Sequence, residues 1–216
     1  MRVFEYKSRE EYLTIQYDTN AHRKHRTIEK VALRSQDIDN IESHFVGRRC
    51  LCLGCRHDSE VDAFTARGFT ASGIDILPTE RQVLGDMHEL HRFFAPSSFD
   101  ICYCCHGLEH SRDPLRVLRE VRDVCAEGLY LVLPLRDAPN EEEPVLLDFM
   151  RTHQAADLAE LQEGLGAFTV AGIWLRTDAS QPSGAEVACA IKWRQDPHEA
   201  PVLSTAQLPF PEQEQH

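Results

Sequence analysis

Hydrophobic positions along the chain fall into short runs that alternate with longer polar segments from residue 50 onward. These runs lie at 50–53, 71–76, 82–84, 99–105 and 129–135, and each is too short to form an independent helix. They are rich in Ile, Val, Leu, Cys and Tyr, which is typical of strands buried on both faces. The pattern therefore predicts a mostly parallel sheet whose strands are connected by helices.

Capping residues mark the helices between these runs. A helix is expected over 59–67, because Gly68 follows it as a C-terminal glycine. A second helix opens at Asp113-Pro114, since proline is favoured in a first turn, and it is expected to end at Gly128. Its apolar face carries four residues with helical spacing: Leu115, Leu118, Val121 and Cys125.

The first 46 residues form a polar, helix-prone segment that is interpreted as an N-terminal helical cap. Its apolar positions from Ile28 to Phe45 have roughly helical spacing, although that spacing is interrupted around 35–39. A basic run at 21–26 is expected to lie on a solvated helix face. The alternative is that this run presents positive charge to an anionic substrate.

The pattern changes again after the α/β alternation. A third helix is predicted between 144 and 161. Two apolar runs, at 168–175 and 186–193, then predict an antiparallel strand pair at the edge of the sheet. We therefore place an α/β domain at 47–195, followed by a tail at 196–216 that is expected to pack weakly or to be disordered.

Composition limits the classes of function that the chain can have. With 216 residues, of which 42% are hydrophobic, it is expected to bury one substantial core. Its net charge of −12 argues against a dedicated nucleic-acid surface, because binding phosphates needs a basic stripe. The start lacks the apolar run of a signal peptide, and no apolar stretch is long enough to span a membrane. A soluble, cytoplasmic protein is expected, and its oligomeric state is left open.

Eight cysteines are many for a protein of this expected compartment. Most of them fall in strand-like runs, where a thiol serves as a small hydrophobic group. The pairs Cys52/Cys55 and Cys102/Cys105 match a spacing that signals zinc when the cysteines lie in turns. Inside strands neighbouring side chains point to opposite faces, so no metal ligands are predicted. Convergence of Cys55, Cys105 and His106 would leave a thiol-redox or metal role as the alternative.

Candidate binding residues follow several of the predicted strands. Gly54 ends the first strand, and Asp75 ends the second about twenty residues later. A glycine lets the backbone approach a ligand closely, and such an acid can bind ribose hydroxyls, so a nucleotide-type ligand is indicated. No further glycine follows Gly54 directly, which disfavours a diphosphate. Asp86 and His106 occupy two other strand ends, where open α/β sheets bind ligands.

Four linked segments within 48–135 resemble the class I S-adenosylmethionine-dependent methyltransferases, in particular the methyltransferase type 11 group. They are Cys-Leu-Cys-Leu-Gly54-Cys55-Arg56, Gly73-Ile-Asp75-Ile76, Gly85-Asp86-Met87-His-Glu-Leu90, and the stretch from Ser98-Phe-Asp100 through His106 and His110 to Asp113-Pro114. Their order and mutual spacing make the combination specific. The resemblance implies a Rossmann-like fold with a mostly parallel sheet, an antiparallel C-terminal edge pair and helices on both faces.

The resemblance also implies S-adenosyl-L-methionine as cofactor, with S-adenosyl-L-homocysteine as product. It places the ribose at Asp75 and Ile76 and the adenine at Asp86 and Met87. The methionine end is expected near three consecutive residues, Gly54, Cys55 and Arg56. His106 is expected to line the cofactor pocket. His106 and His110 are the candidate catalytic residues, because imidazole accepts a proton near neutral pH.

The predicted function is methyl transfer to an unidentified acceptor, most simply a small molecule, with no nucleic-acid or membrane partner. One alternative is a catalytically degenerate protein of the same fold that serves as a binding or scaffold subunit. It is motivated by the single glycine of the first motif, where His57, Asp58 and Ser59 follow. The other alternative is the metal or thiol-redox protein suggested by the cysteines.

Overall fold

A computed structural model of the protein describes residues 6–22, 31–55, 58–77, 81–135, 168–177 and 185–193. In these ranges it contains a seven-stranded sheet of order β3-β2-β1-β4-β5-β7-β6. The strands are β1 (Arg49–Leu53), β2 (Thr70–Asp75), β3 (Val83–Leu84), β4 (Phe99–Cys105), β5 (Cys125–Leu135), β6 (Phe168–Thr177) and β7 (Ala185–Trp193). Strands β1 to β5 pair in parallel, and β7 pairs antiparallel with β5 and β6. The predicted parallel sheet with an antiparallel edge pair is confirmed.

Four α-helices accompany these strands in the described part of the chain: α1 (Arg9–His22), α2 (Val31–His44), α3 (Ser59–Ala66) and α4 (Pro114–Val124). The start of α4 is confirmed, because the Asp113 carboxylate accepts a hydrogen bond of 3.0 Å from the Arg116 N–H and caps the helix. Two 3₁₀ helices, Met87–Arg92 and Leu108–His110, were not predicted. None of the described helices has the length and apolar character needed to cross a membrane.

The predicted end at Gly128 of the helix that opens at Asp113-Pro114 is wrong. The helix ends at Val124, and Cys125 already pairs with Phe99 as the first residue of β5. Gly128 lies inside that strand, where an added Cβ would come within 2.0 Å of the Ile191 carbonyl oxygen. Its missing side chain thus permits the close approach of β7 and does not terminate a helix.

The apolar spacing is interrupted around residues 35–39, yet α2 is continuous there. Its polar residue Asp37 is buried and accepts hydrogen bonds from the hydroxyls of Tyr103 at 2.8 Å and Tyr130 at 3.1 Å. A buried carboxylate is tolerated when such donors satisfy it. The predicted third helix and the C-terminal tail lie outside the described residues. The division into a cap and an α/β domain stays a prediction.

Helices cover both faces of the sheet, as the resemblance implied. Alternate residues of the central strands separate into two cores: Leu51, Leu53, Cys102 and Cys104 face α4, whereas Cys50, Cys52, Ile101 and Tyr103 face α2 and α3. This two-residue period follows from the pleat of a strand. Five strand cysteines are buried in these cores, which confirms their interpretation as small hydrophobic side chains: Cys50, Cys52, Cys102, Cys104 and Cys189.

The strand order fixes where a ligand can bind. From β1 the chain first adds β2 and β3 on one side and then returns to place β4 on the other. In open α/β sheets such a reversal leaves a crevice at the carboxyl ends of the two central strands, β1 and β4 here. The segments that leave β1, β2, β3 and β4 all border this crevice.

Candidate functional site

A pocket occupies the crevice at the carboxyl ends of the strands. It is lined by Tyr12, Gln16, Gly54, Ile74, Asp75, Ile76, Gly85, Met87, His106, Gly107 and His110. Six of the residues singled out in the sequence are therefore brought together: Gly54, Asp75, Ile76, Met87, His106 and His110. They come from four separate strand exits and share one cavity.

Three predicted residues do not line this pocket or cannot be placed. Cys55 is buried beneath it, with its Sγ 3.9 Å from the Ile74 carbonyl oxygen. Asp86 is also buried, although its two neighbours in the sequence, Gly85 and Met87, line the pocket. Arg56 lies outside the described residues.

Two glycines face each other at the exits of β1 and β4. Gly54 has a φ of +66°, a conformation that glycine adopts without steric cost, and its N–H donates to the Ile74 carbonyl at 2.9 Å. A Cβ added to Gly107 would lie 3.4 Å from the Leu53 carbonyl oxygen and 3.9 Å from the Gly54 Cα. The pair forms a floor without side chains, over which a ligand can approach the backbone closely.

Asp75 ends β2 as a buried carboxylate with an exposure of 7%. Its Oδ1 accepts a hydrogen bond of 2.8 Å from the Leu77 N–H, which orients the carboxylate at the turn. The next residue, Ile76, accepts a hydrogen bond of 2.6 Å from the Tyr17 hydroxyl of α1. The exit of β2 is thus held against the N-terminal helix.

Asp86 follows β3, and one of its two carboxylate oxygens accepts hydrogen bonds from the described part of the protein. Its Oδ1 accepts from the His88 N–H at 3.0 Å and lies 2.5 Å from His88 Nδ1, so Asp86 caps the first 3₁₀ helix. Its buried Oδ2 has no hydrogen-bond partner among the described residues and lies 3.4 Å from Arg9 Nε. Burial favours the neutral acid, but the hydrogen bonds from His88 prevail and lower the pKa of Asp86 to about 2.

Helix α1 closes the pocket from above, which no local sequence pattern indicates. Tyr12 is fully buried, and its hydroxyl has no hydrogen-bond partner among the described residues. Burial, with a smaller contribution from Asp86, raises the pKa of this phenol well above its usual value. Gln16 donates to the His110 carbonyl at 3.4 Å and thereby joins α1 to the exit of β4.

His106 is held between two carboxylates at the exit of β4. Its Nε2 lies 2.6 Å from Glu186 Oε1 of β7, and its Nδ1 lies 3.4 Å from Glu109 Oε1. Burial alone would lower the pKa of His106, but hydrogen bonds to Glu109 and Glu186 raise it to about 9. The φ of His106 is +55°, a strained conformation for a residue other than glycine, and the two ion pairs hold it.

The raised pKa of His106 makes stability depend on pH. Because this pKa is near 6.5 in the unfolded chain, the ion pairs stabilise the fold fully below pH 6.5, and the contribution is lost as pH rises through 9. We expect the free energy of unfolding to fall by at most about 3 kcal/mol over this window. Chemical denaturation between pH 6 and 10 measures it.

His106→Gln should remove this slope, whereas His91→Gln should keep it. His91 is an exposed histidine that pairs with Glu120 outside the pocket, so it controls for the loss of an imidazole. An equal slope in wild type and His106→Gln would contradict the assignment.

The cysteine cluster is not arranged as a metal centre. Among the residues that the structure describes, no group of three or more His, Cys, Asp or Glu side chains could hold a metal ion. Burial also raises the pKa values of the Cys55 and Cys105 thiols well above their usual range. Cys55 is buried and Cys105 is partly buried. A protonated thiol reacts slowly, so neither side chain has the environment of a redox-active cysteine.

Comparison with known proteins places this geometry in context. A family model described as a methyltransferase domain matches residues 16–163, which is more than half of the 216 residues. The match includes the exits of β1 to β4 and the second half of α1. No curated protein sequence matches the chain significantly.

Solved structures share the fold at low sequence identity. One is the Burkholderia thailandensis 1,6-didemethyltoxoflavin-N1-methyltransferase with bound 1,6-didemethyltoxoflavin and S-adenosylhomocysteine, with a TM-score of 0.64 and 12% identity over 88% of this chain and 93% of that one. Another is the (4+2)-cyclase SpnF, with a TM-score of 0.53 and 16% identity over 84% of this chain and 92% of that one. At these identities the likeness establishes the fold alone.

Proposed function

The chain belongs to the methyltransferase-domain family and uses S-adenosylmethionine as its cofactor, and we propose that it methylates a small molecule held in the strand-end pocket. The observation that carries this proposal is the convergence of Gly54, Asp75, Met87 and His106 in one cavity beneath α1. Each of them leaves a different strand of the parallel sheet. A ligand at that position can be held at several points along its length.

The pocket fits the nucleoside part of the cofactor. Two buried atoms in or beside it, Tyr12 Oη and Asp86 Oδ2, have no hydrogen-bond partner among the described residues, and a polar ligand would satisfy them. Asp75, with Ile76 beside it, would hold the ribose hydroxyls, and Asp86 with Met87 would hold the adenine. Both acids are hydrogen-bond acceptors when ionised, as the hydroxyl and amine hydrogens require.

The methionine end would lie over the glycine floor. Gly54 and Gly107 leave backbone surface open there, and Cys55 and Arg56 follow directly in the chain. Of these, Cys55 is buried and contributes through its backbone rather than its thiol. Arg56 is proposed from the sequence as the partner of the carboxylate of this amino-acid end.

Methyl transfer requires mainly that the sulfonium and the acceptor atom be aligned. The bound cofactor supplies a methyl group on a sulfonium, so the protein needs no covalent intermediate and gains rate by positioning the acceptor. Tyr12 and Gln16 line the pocket on the side of α1 and would limit the access of water to the reacting groups. The open glycine floor lets donor and acceptor approach each other.

His110 is the better candidate for a proton acceptor, and His106 for a fixed cation. The carboxylates of Glu109 and Glu186 keep His106 protonated at neutral pH, so it cannot accept a proton there. His110 lines the same pocket with a side chain that is 39% exposed, and its Nε2 lies 3.9 Å from Glu109 Oε1. An acceptor that loses a proton on methylation would give it to His110.

Two features favour a small acceptor over a macromolecule. The pocket is roofed by α1, which leaves little room for an extended chain. The net charge of −12 opposes binding of a polyanion. The fold neighbour from Burkholderia thailandensis was solved with bound 1,6-didemethyltoxoflavin, which is consistent with this class of acceptor.

Transfer of a labelled methyl group tests this proposal. Purified protein is incubated with S-adenosylmethionine labelled in the methyl group and with cell extract separated by filtration into small-molecule and macromolecular fractions. We expect label to enter the small-molecule fraction, and Asp75→Ala to abolish the transfer. Label only in macromolecules would contradict the acceptor class. Cofactor binding without transfer to either fraction would favour the scaffold alternative.

A further inference from the structure

A line of buried polar side chains runs from the exit of β3 to the loop before α4. His88 Nδ1 lies 2.5 Å from Asp86 Oδ1, and His88 Nε2 lies 2.8 Å from Ser111 Oγ. The three side chains are almost fully buried, with exposures of 0% for His88 and 3% for Asp86 and Ser111. Buried hydrogen-bond networks of this kind restrict the orientation of their members.

The surroundings of His88 define its tautomer. The Asp113 N–H points to His88 Nε2 at 3.3 Å, so this nitrogen acts as an acceptor. An imidazole whose Nε2 accepts carries its proton on Nδ1, which then donates to Asp86 Oδ1. Ser111 completes the arrangement, because its hydroxyl donates to Nε2 and accepts from the Asp113 N–H at 3.1 Å.

Packing fixes the ring as well as its hydrogen bonds. The Tyr12 ring meets the His88 ring edge to face, with centroids 5.3 Å apart and an interplanar angle of 88°. The His88 carbonyl accepts from Arg116 Nε at 2.9 Å, which ties the same residue to α4. The imidazole therefore has little freedom to turn away from Asp86.

The two carboxylate oxygens of Asp86 therefore differ in their hydrogen bonds. Oδ1 is occupied by the His88 N–H and Nδ1–H, whereas Oδ2 accepts no hydrogen bond among the described residues. Its near neighbour Arg9 has a side chain that is 51% exposed and can move aside at small cost. Oδ2 is thus the oxygen that remains for a ligand.

We propose that His88 is a positioning residue that fixes the Asp86 carboxylate so that its Oδ2 accepts a hydrogen bond from the adenine amino group of the cofactor. The proposal rests on the proposed function of the pocket. His88 itself touches no ligand, and it acts through the orientation of Asp86. Without the Nδ1–H donor, only the backbone N–H of residue 88 would hold Oδ1. The carboxylate would then rotate more freely and lose most of its preference for an amine over a carbonyl.

Binding of two ligands that differ at one position tests this role. S-adenosylhomocysteine carries the adenine amino group, and S-inosylhomocysteine carries a carbonyl oxygen in its place. Calorimetry gives the ratio of their dissociation constants for wild type, His88→Asn and His88→Gln. The asparagine amide nitrogen takes the place of Nδ1 and keeps the bond to Asp86, whereas the glutamine amide takes the place of Nε2 and keeps only the bond to Ser111.

The expected results separate positioning from a general structural role. Wild type and His88→Asn should prefer S-adenosylhomocysteine by about tenfold or more, as expected for a hydrogen bond to a charged group. In His88→Gln the preference should fall below about threefold. A purely structural role would weaken both ligands equally and leave the ratio unchanged, which would overturn the proposal.

Other outcomes distinguish this proposal from the function on which it rests. If wild type bound neither compound, the function of the pocket would fail together with the role of His88. If wild type bound both equally, the role of His88 would fail while the pocket would stand.

A measurement on wild type keeps the proposal testable if a variant does not fold. Nitrogen-15 NMR of the histidine side chains should show His88 as the Nδ1–H tautomer, with a Nδ1 shift on adding S-adenosylhomocysteine that S-inosylhomocysteine does not produce. A proton on Nε2 instead would overturn the proposal.

Discussion

Replacing Asp75 by alanine should weaken the binding of S-adenosylhomocysteine by roughly 100-fold or more. The carboxylate ends β2 inside the pocket, is almost fully buried, and would accept hydrogen bonds from both ribose hydroxyls. Each hydrogen bond to a charged group contributes about 1.5–3 kcal/mol, and two such bonds give the expected factor. Calorimetric titration of the purified variant measures it.

Two further variants make this result specific. Asp75→Asn keeps an oxygen for the Leu77 N–H and should weaken binding only about tenfold, because charge is lost but one acceptor remains. Asp100→Asn changes an acid near the amino end of β4, far from the pocket at the carboxyl ends of the strands. There the Asp100 carboxylate accepts a hydrogen bond from the Arg49 side chain of β1. The substitution should lower stability without changing affinity. Equal affinities for Asp75→Ala and wild type would contradict the ribose assignment.

Replacing Gly54 by alanine should weaken cofactor binding more than tenfold. The new Cβ would lie 3.6 Å from the Gly107 Cα and about 4.0 Å from the Met87 side chain, so it would occupy the floor of the pocket. The φ of +66° would also cost about 1–2 kcal/mol of folding free energy for any other residue. Binding and thermal unfolding are measured on the same preparation.

Gly68→Ala is the matched control for backbone strain. Gly68 has a similar φ of +83°, but a Cβ there would meet no atom within 4 Å, and the residue lies after α3, outside the pocket. Both variants should lose comparable stability, and only Gly54→Ala should lose affinity. A similar loss of affinity in both would mean that Gly54 acts through folding rather than through the pocket.

The sheet and the strand ends were predictable because they are recorded locally in the sequence. Short apolar runs indicate buried strands, and the residue that ends a run lies at the carboxyl end of its strand, where such sheets bind ligands. Gly54, Asp75 and His106 therefore come together as expected. Gly128 misled the helix assignment, because a glycine inside a strand resembles a helix C-cap until the neighbouring strand is known.

The roof and the carboxylates around the site depend on contacts between distant residues. Glu186 reaches His106 across 80 positions of the chain, and Gln16 reaches His110 across 94. Tyr12 is buried in a helix whose residues are mostly polar, so no hydrophobic stripe marks it. Such pairings are decided by tertiary packing, which local propensity does not record.

The most direct test of the central claim is a crystal structure of the protein grown with saturating S-adenosylhomocysteine. We predict the ribose on Asp75, the adenine amino group on Asp86 Oδ2, and the amino-acid end over the Gly54 and Gly107 floor. Ligand bound at another place on the molecule, or an empty strand-end pocket under conditions where calorimetry shows binding, would contradict this account.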